Sequence, residues 1–126
     1  MVVVGLGTDI VEIARMEKII IRMQNTFAKR VLTVLELHKY ASSKFPARYL
    51  AKYFAVKEAA AKALGTGISC GVTFQDFEVI NDELGKPMLV LHGMAEELII
   101  ERGVTNVMLS ISDEKCYAVA TVLFQK

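Results

Sequence analysis

Residues 54–67, FAVKEAAAKALGTG, set three charged side chains among alanines and end in two glycines. Glu58 and Lys62 are four residues apart, so on a helix their side chains are neighbours in the favourable Glu-then-Lys order. As an isolated feature, such a pair is typical of a solvated helix face and contributes a few tenths of a kcal/mol. The other interpretation is a site in which both groups face a charged ligand.

Lys57 and the loop after the helix also allow more than one interpretation. Lys57 falls within the apolar arc of the predicted helix, where a lysine must reach solvent, find a partner or line a cavity. Gly65, Thr66 and Gly67 are typical of a helix C-cap, although their backbone and the threonine hydroxyl also suit an anion. A Walker loop is excluded because the pattern GxxxxGK[ST] is absent.

Asp9, in the segment GLGTDIVEIAR, is the second carboxylate of interest. With Glu12 three residues later it has the form of a capping box, which predicts a helix start at Asp9. Alternatively, a carboxylate at the end of the first strand lies beside Glu58. Two carboxylates without a histidine or thiolate suit Mg²⁺, which takes one or two protein carboxylates and binds substrate phosphates with its other positions. Nearby lysines would then complete a clamp for a diphosphate.

Other kinds of catalytic site lack the necessary residues. His38 and His92 are solitary, so neither a histidine metal site nor a Ser-His-Asp triad is available. Cys70 and Cys116 form no CxxC or metal-ligand spacing, and we predict reduced thiols in a cytoplasmic protein.

Composition predicts a single globular domain over residues 1–126, with 53% hydrophobic and 23% charged residues. The net charge of +1 does not favour nucleic-acid binding. Apolar runs are far shorter than the roughly 20 residues that span a bilayer, so we expect no membrane segment. The opening MVVVGL has no basic n-region, and we expect no signal peptide.

The patterns along the chain predict an α+β fold with three early helices and a late, mostly antiparallel sheet that the N-terminal strand joins. The predicted helices are 9–23, 34–43 (after the Thr33–Glu36 capping box), 47–64 and 93–102, and the predicted strands are 2–7, 72–80, 88–91, 106–112 and 116–124. The last strand, with YAVATVLF, has few polar positions on either face. A subunit interface or a helix layer would cover it, and we predict an oligomer.

The motifs GLGTDIVEIAR, FAVKEAAAKALGTGI, NDELGKP and YAVATV occur in this order at suitable spacings. Together they resemble the holo-acyl-carrier-protein synthase family, the small bacterial 4′-phosphopantetheinyl transferases, over essentially the whole chain. The resemblance implies the fold of that family and a homotrimer with active sites at subunit interfaces. It also implies transfer of phosphopantetheine from coenzyme A to a serine of apo acyl carrier protein, for fatty acid biosynthesis, with release of adenosine 3′,5′-bisphosphate.

The resemblance further implies roles for individual residues. Asp9 and Glu58 would hold Mg²⁺, and Lys62 would contact the coenzyme A phosphates, so Glu58 and Lys62 are the implied catalytic residues. Deprotonation of the attacking serine is left open between Glu58 and a metal-bound water.

Two further sets of residues are implied to bind the substrates. The loop Gly65, Thr66 and Gly67 would pack near the adenosine end of the coenzyme. Arg15 and Arg22 are seven residues apart, on one helix face, and would meet the acidic carrier protein.

The chain departs from the family pattern at two positions. Tyr53 stands where an arginine that contacts the coenzyme phosphate is common, and we expect Lys44 or Arg48 to substitute. Cys116 stands where a histidine is common near the final hairpin. Two other classes remain as alternatives: a trimeric binding module without chemistry, and a structural trimer whose charged helix face is only solvated.

Overall fold

The computed structural model describes residues 1–126, and their secondary structure agrees with the predicted α+β class. In chain order the elements are β1 Val3–Glu12, α1 Ile13–Met23, α2 Thr26–Val31, α3 Val34–Ala41, α4 Pro46–Leu64, β2 Phe77–Asn81, β3 Pro87–Leu91, α5 Gly93–Glu101, β4 Asn106–Asp113 and β5 Tyr117–Gln125.

The strands form two antiparallel sheets. A three-stranded sheet has the order β1-β5-β4, and β2 pairs with β3 as a separate hairpin. The N-terminal strand therefore joins the C-terminal strands, as the sequence predicted, with Asp9 opposite Ala120 in the register. Sequence reasoning had placed all the late strands in one sheet, and in this respect it was wrong.

Helix α4 packs across the inner face of the three-stranded sheet. This face carries the alternate residues of β5 that are buried, among them Ala120 and Val122. On β1 the same face carries Gly5 and Gly7, and a Cβ atom at Gly7 would lie 1.9 Å from the carbonyl oxygen of Ala59 in α4. Only glycine allows this approach, so strand and helix meet backbone to backbone.

The ends of α4 follow local sequence signals. Pro46 occupies the first turn, and Gly65 ends the helix in the left-handed conformation with φ 81°. The prediction of 47–64 is within one residue of the observed helix. The predicted Thr33–Glu36 capping box at the start of α3 is also confirmed, with both reciprocal hydrogen bonds present.

The predicted helix start at Asp9 is wrong. Residues 9–12 continue β1 and pair with residues 117–120 of β5, and α1 begins at Ile13 without a side-chain cap. Backbone pairing to a strand more than a hundred residues away outweighs the local capping pattern. The short helix α2 was not predicted, and a 3₁₀ turn at Phe74–Asp76 replaces the first part of the predicted strand 72–80.

Lys57 finds partners inside the protein. Its side chain is fully buried, and its ammonium donates to Glu36 Oε1 at 2.7 Å and to the carbonyls of Phe74 and Phe77. The Glu36 carboxylate in turn accepts from the Val79 N–H at 2.7 Å. Lys57 therefore joins α3 and the β2 region to the central helix.

The outer face of the three-stranded sheet is apolar and exposed. Leu6 and Ile10 on β1 are both 62% exposed, while Met108 on β4 and Tyr117 on β5 are 50% and 42% exposed. Helix α4 covers only the opposite face. None of the helices combines the length and the apolarity that crossing a bilayer requires.

Candidate active site

Asp9 and Lys62 form the centre of the site. Asp9 lies on the inner face of β1, and Lys62 lies in the last turn of α4. The Lys62 ammonium donates to Asp9 Oδ1 and to the Thr8 carbonyl, both at 3.0 Å. The i,i+4 spacing predicted Glu58 as the neighbour of Lys62, but the ion pair is with Asp9.

Glu58 lies one turn before Lys62 and is half-buried. Burial raises the pKa of Glu58, and the negative charge of Asp9 raises it further. Lys62 and Arg15 oppose this rise in pKa through their positive charges. Asp9, Lys62 and Arg15 therefore lie close enough to Glu58 for their charges to shift its pKa, and Asp9 and Glu58 are near each other as the family resemblance implied.

Arg15 lies at the edge of this cluster. Its guanidinium carbon is 5.6 Å from the centroid of the Phe54 ring, one turn before Glu58 on α4. Sequence reasoning assigned Arg15 only to a partner surface. Arg22 is exposed at the far end of α1 and does not reach the cluster of Asp9, Glu58 and Lys62.

An aromatic wall adjoins the cluster, and sequence reasoning missed it. The Phe54 ring contacts Phe27 and Phe74, each with a centroid distance of 5.6 Å. The available signal was the position of Phe54, four residues before Glu58 on the same helix. The wall gives the charged cluster an apolar side.

The loop after α4 is mainly a helix cap. The N–H groups of Gly65 and Gly67 both donate to the Ala61 carbonyl, at 3.1 and 3.2 Å. The Thr66 hydroxyl donates to the Gly67 carbonyl, while the Thr66 N–H has no acceptor in the chain. The sequence suggested that the backbone of this loop and the Thr66 hydroxyl could bind an anion. Among the N–H and hydroxyl groups of the loop, only the Thr66 N–H has no hydrogen bond within the chain.

Arg48 lies in the first turn of α4, at the end opposite Lys62, and Lys44 lies in the loop just before this helix. They line an open pocket of about 330 Å³ together with Lys115, and Arg48 Nη1 is 3.1 Å from Asp113 Oδ2. Fourteen residues separate Arg48 from Lys62, which is about 21 Å along a helix. A single chain therefore does not bring Lys44 and Arg48 to the Asp9 cluster.

The two positions that depart from the family pattern lie in different surroundings. Tyr53 is buried at 8% exposure and stacks on Tyr49 with a centroid distance of 4.2 Å. It therefore faces the interior and not the cluster. Cys116, like Cys70, is an exposed free thiol.

The chemistry of Asp9 and Glu58 fits Mg²⁺. No three histidine, cysteine, aspartate or glutamate side chains gather anywhere in the structure, so a cage made only of protein ligands is absent. Two mutually repelling carboxylates, however, are what a hard cation with further oxygen ligands from water and phosphate requires.

Comparison with known proteins gives the class to which this chain and its fold correspond. The model of the 4′-phosphopantetheinyl transferase superfamily matches residues 5–122, and the chain belongs to this superfamily.

Individual members are similar over the full length. The holo-[acyl-carrier-protein] synthase of Photobacterium profundum is 58% identical over 125 residues, which cover 99% of both chains. The solved structure of the synthase from Neisseria meningitidis has a TM-score of 0.91 and 40% identity, covering 99% of this chain and 100% of that one. A synthase from Bacillus anthracis, solved in complex with CoA (3′,5′-ADP), has a TM-score of 0.81 and 39% identity, covering 97% and 96%.

Proposed function

We propose that this protein is a holo-acyl-carrier-protein synthase. It transfers the 4′-phosphopantetheine group of coenzyme A to a serine of apo acyl carrier protein and releases adenosine 3′,5′-bisphosphate, for fatty acid biosynthesis. The observation that carries the proposal is the meeting of Asp9, Glu58 and Lys62 between β1 and α4, in a chain related to such synthases over its full length.

The site supplies charge and alignment for transfer of a phosphoryl-type group. Asp9 and Glu58 would hold Mg²⁺, which when bound would neutralise the diphosphate of coenzyme A. Lys62 contributes a positive charge beside the leaving phosphate, and the Thr66 N–H offers a hydrogen bond near the same helix end. Such transfer depends mainly on positioning and electrostatic stabilisation, so few reactive protein groups are needed.

The attacking hydroxyl comes from the carrier protein, which accounts for the lack of an internal nucleophile. Its base is Glu58 or a water that the bound Mg²⁺ would hold. In the metal-free chain, burial and the neighbouring Asp9 raise the pKa of Glu58.

The carrier protein docks on α1 in this proposal. Arg15 and Arg22 are exposed on that helix, and they suit an acidic partner. Arg15 also lies near Glu58. A carrier protein that contacts Arg15 would therefore have its reactive serine close to the cluster of Asp9, Glu58 and Lys62.

The working assembly in this proposal is a homotrimer. The exposed apolar face that includes Leu6, Ile10, Met108 and Tyr117 supports it, because a subunit interface would bury this surface. A neighbouring subunit would also bring a second copy of Lys44 and Arg48 to the coenzyme bound at Lys62. A cytoplasmic location is supported by the two exposed free thiols.

The test is mass spectrometry of apo acyl carrier protein incubated with the protein, coenzyme A and Mg²⁺. We expect a mass gain of one phosphopantetheine, lost with EDTA and lost with the Asp9→Ala variant, which should still assemble. Glu83→Ala, which removes an exposed carboxylate of the β2–β3 turn, is the matched control and should remain active. Binding of coenzyme A without any mass gain would overturn the proposal in favour of a binding module.

A further inference from the structure

Lys62 is bonded to the carboxylate that we assign to the metal. Its ammonium donates to Asp9 Oδ1 and to the backbone carbonyl of Thr8, so two acceptors of β1 hold it. A divalent cation that uses the same carboxylate must displace this ammonium or lie close to it. Two like charges at such a distance repel strongly in a half-buried site.

The formal charges of the cluster already balance. Asp9 and Glu58 carry two negative charges, and Lys62 and Arg15 carry two positive ones. Mg²⁺ alone would leave two positive charges uncompensated, and a diphosphate diester alone would leave two negative ones. When both ligands bind, the sum returns to zero.

Lys62 and Asp9, the two members of the ion pair, differ in how far their side chains are exposed to solvent. The Lys62 side chain is 53% exposed, whereas the Asp9 side chain is 17% exposed and belongs to a strand. The lysine can therefore turn toward a ligand in solvent while the carboxylate keeps its place. Lys62 has few contacts to lose in this movement, since its two acceptors are both on β1.

We propose that Lys62 makes the divalent cation and the diphosphate of coenzyme A bind as a pair. Lys62 occupies Asp9 and suppresses binding of the cation until a diphosphate draws the ammonium away. The inference rests on the proposed function, because it takes coenzyme A as the diphosphate ligand. By linkage, the cation must raise the affinity for coenzyme A by the same factor that coenzyme A raises the affinity for the cation.

The test measures binding of Mn²⁺ by electron paramagnetic resonance, with no turnover involved. For the wild type, we expect weak binding of Mn²⁺ alone and binding at least roughly fivefold tighter with saturating coenzyme A. For Lys62→Met, Mn²⁺ alone should bind at least roughly fivefold tighter than to the wild type, and coenzyme A should increase that affinity much less.

Two variants serve as controls. Lys52→Met removes a cation from the same helix, ten residues away, and should behave as the wild type, whereas Lys62→Gln should repeat the result of Lys62→Met if the charge is responsible. Equal affinity of the wild type and Lys62→Met for Mn²⁺ alone overturns the inference but leaves the proposed function standing. Failure of Mn²⁺ to bind even with coenzyme A overturns the metal assignment and the inference together.

Discussion

Lys57 Nζ lies 2.7 Å from Glu36 Oε1, and both side chains are buried. Burial lowers the pKa of Lys57, and the charge of Glu36 opposes that shift. We expect Lys57→Met to destabilise the fold by about 3–5 kcal/mol, because it leaves the Glu36 charge buried without a cation. Urea unfolding at neutral pH measures this change.

The double variant Lys57→Met/Glu36→Gln isolates the electrostatic contribution of the pair. Its loss of stability should be smaller than the sum of the two single losses, since neither charge remains unpaired. Lys52→Met, a half-buried lysine elsewhere on α4, is the control. Additive losses in the double variant would contradict the importance of the ion pair.

Glu58 should make the metal-free protein less stable as the pH rises. Its pKa is raised in the folded state, so between the ordinary pKa of about 4.3 and the folded-state pKa the folded chain binds more protons than the unfolded chain, and stability falls as the pH rises through this range. We expect Glu58→Gln to raise the free energy of unfolding at pH 7 in EDTA by less than about 1 kcal/mol, because the group is partly exposed, and the melting temperature should rise accordingly. The gain should vanish near about pH 3.5, where the wild-type carboxyl is protonated in both states.

The melting temperatures of the wild type and of Glu58→Gln are measured across this pH range, with Glu83→Gln as the control. A stabilisation that stays constant from acid to neutral pH would show that the charge of Glu58 is not its cause. Added Mg²⁺ and coenzyme A should stabilise the wild type and have little effect on Glu58→Gln, since the variant lacks one metal ligand.

The apolar outer face of the sheet gives a prediction about assembly. Ile10→Glu places a charge within this face, and we expect it to dissociate the proposed trimer because burying an unpaired carboxylate at an interface is costly. Light scattering coupled to size-exclusion chromatography measures the mass. Leu84→Glu, at a position 97% exposed in the β2–β3 turn, should leave the assembly unchanged. A monomeric wild type would refute the trimer directly.

Arg22 gives a prediction about the carrier protein. Reversing its charge with Arg22→Glu should raise the KM for acyl carrier protein about tenfold at low salt, with little change in the KM for coenzyme A. The effect should shrink as salt screens the attraction. Lys39→Glu, an exposed lysine on α3, is the matched control. Equal effects of the two reversals would mean that only net charge matters.

Local signals made the bounds of the central helix and the start of α3 predictable. Pro46, Gly65 and the pair Thr33–Glu36 act through contacts within a few residues, and the structure uses each of them as the sequence suggested. The start of α1 was not predictable in this way. Asp9 and Glu12 match a capping pattern, but β5, which holds them in a strand, is distant in sequence.

The site required more than local reasoning. That Asp9 faces Glu58 was expected from a family resemblance, whereas the ion pair between Asp9 and Lys62 depends on how far α4 lies along β1. A signal for this packing was present in the sequence. Gly5 and Gly7 are two residues apart on a strand, and Ala59 and Ala63 are four apart on a helix, so small residues of both elements can meet. Lys44 and Arg48 lie far from Lys62 within one chain, so the predicted contact of these two residues with the coenzyme depends on the proposed neighbouring subunit.

The contact of Gly5 and Gly7 with the carbonyls of Ala63 and Ala59 limits which substitutions β1 can accept. Because no side chain separates the two main chains there, the closest approach of β1 to α4, the elements that carry Asp9 and Glu58, is set by peptide groups and not by side-chain volume. A single added methyl group at Gly7 would push β1 away from α4 and so change the distance between Asp9 and Glu58.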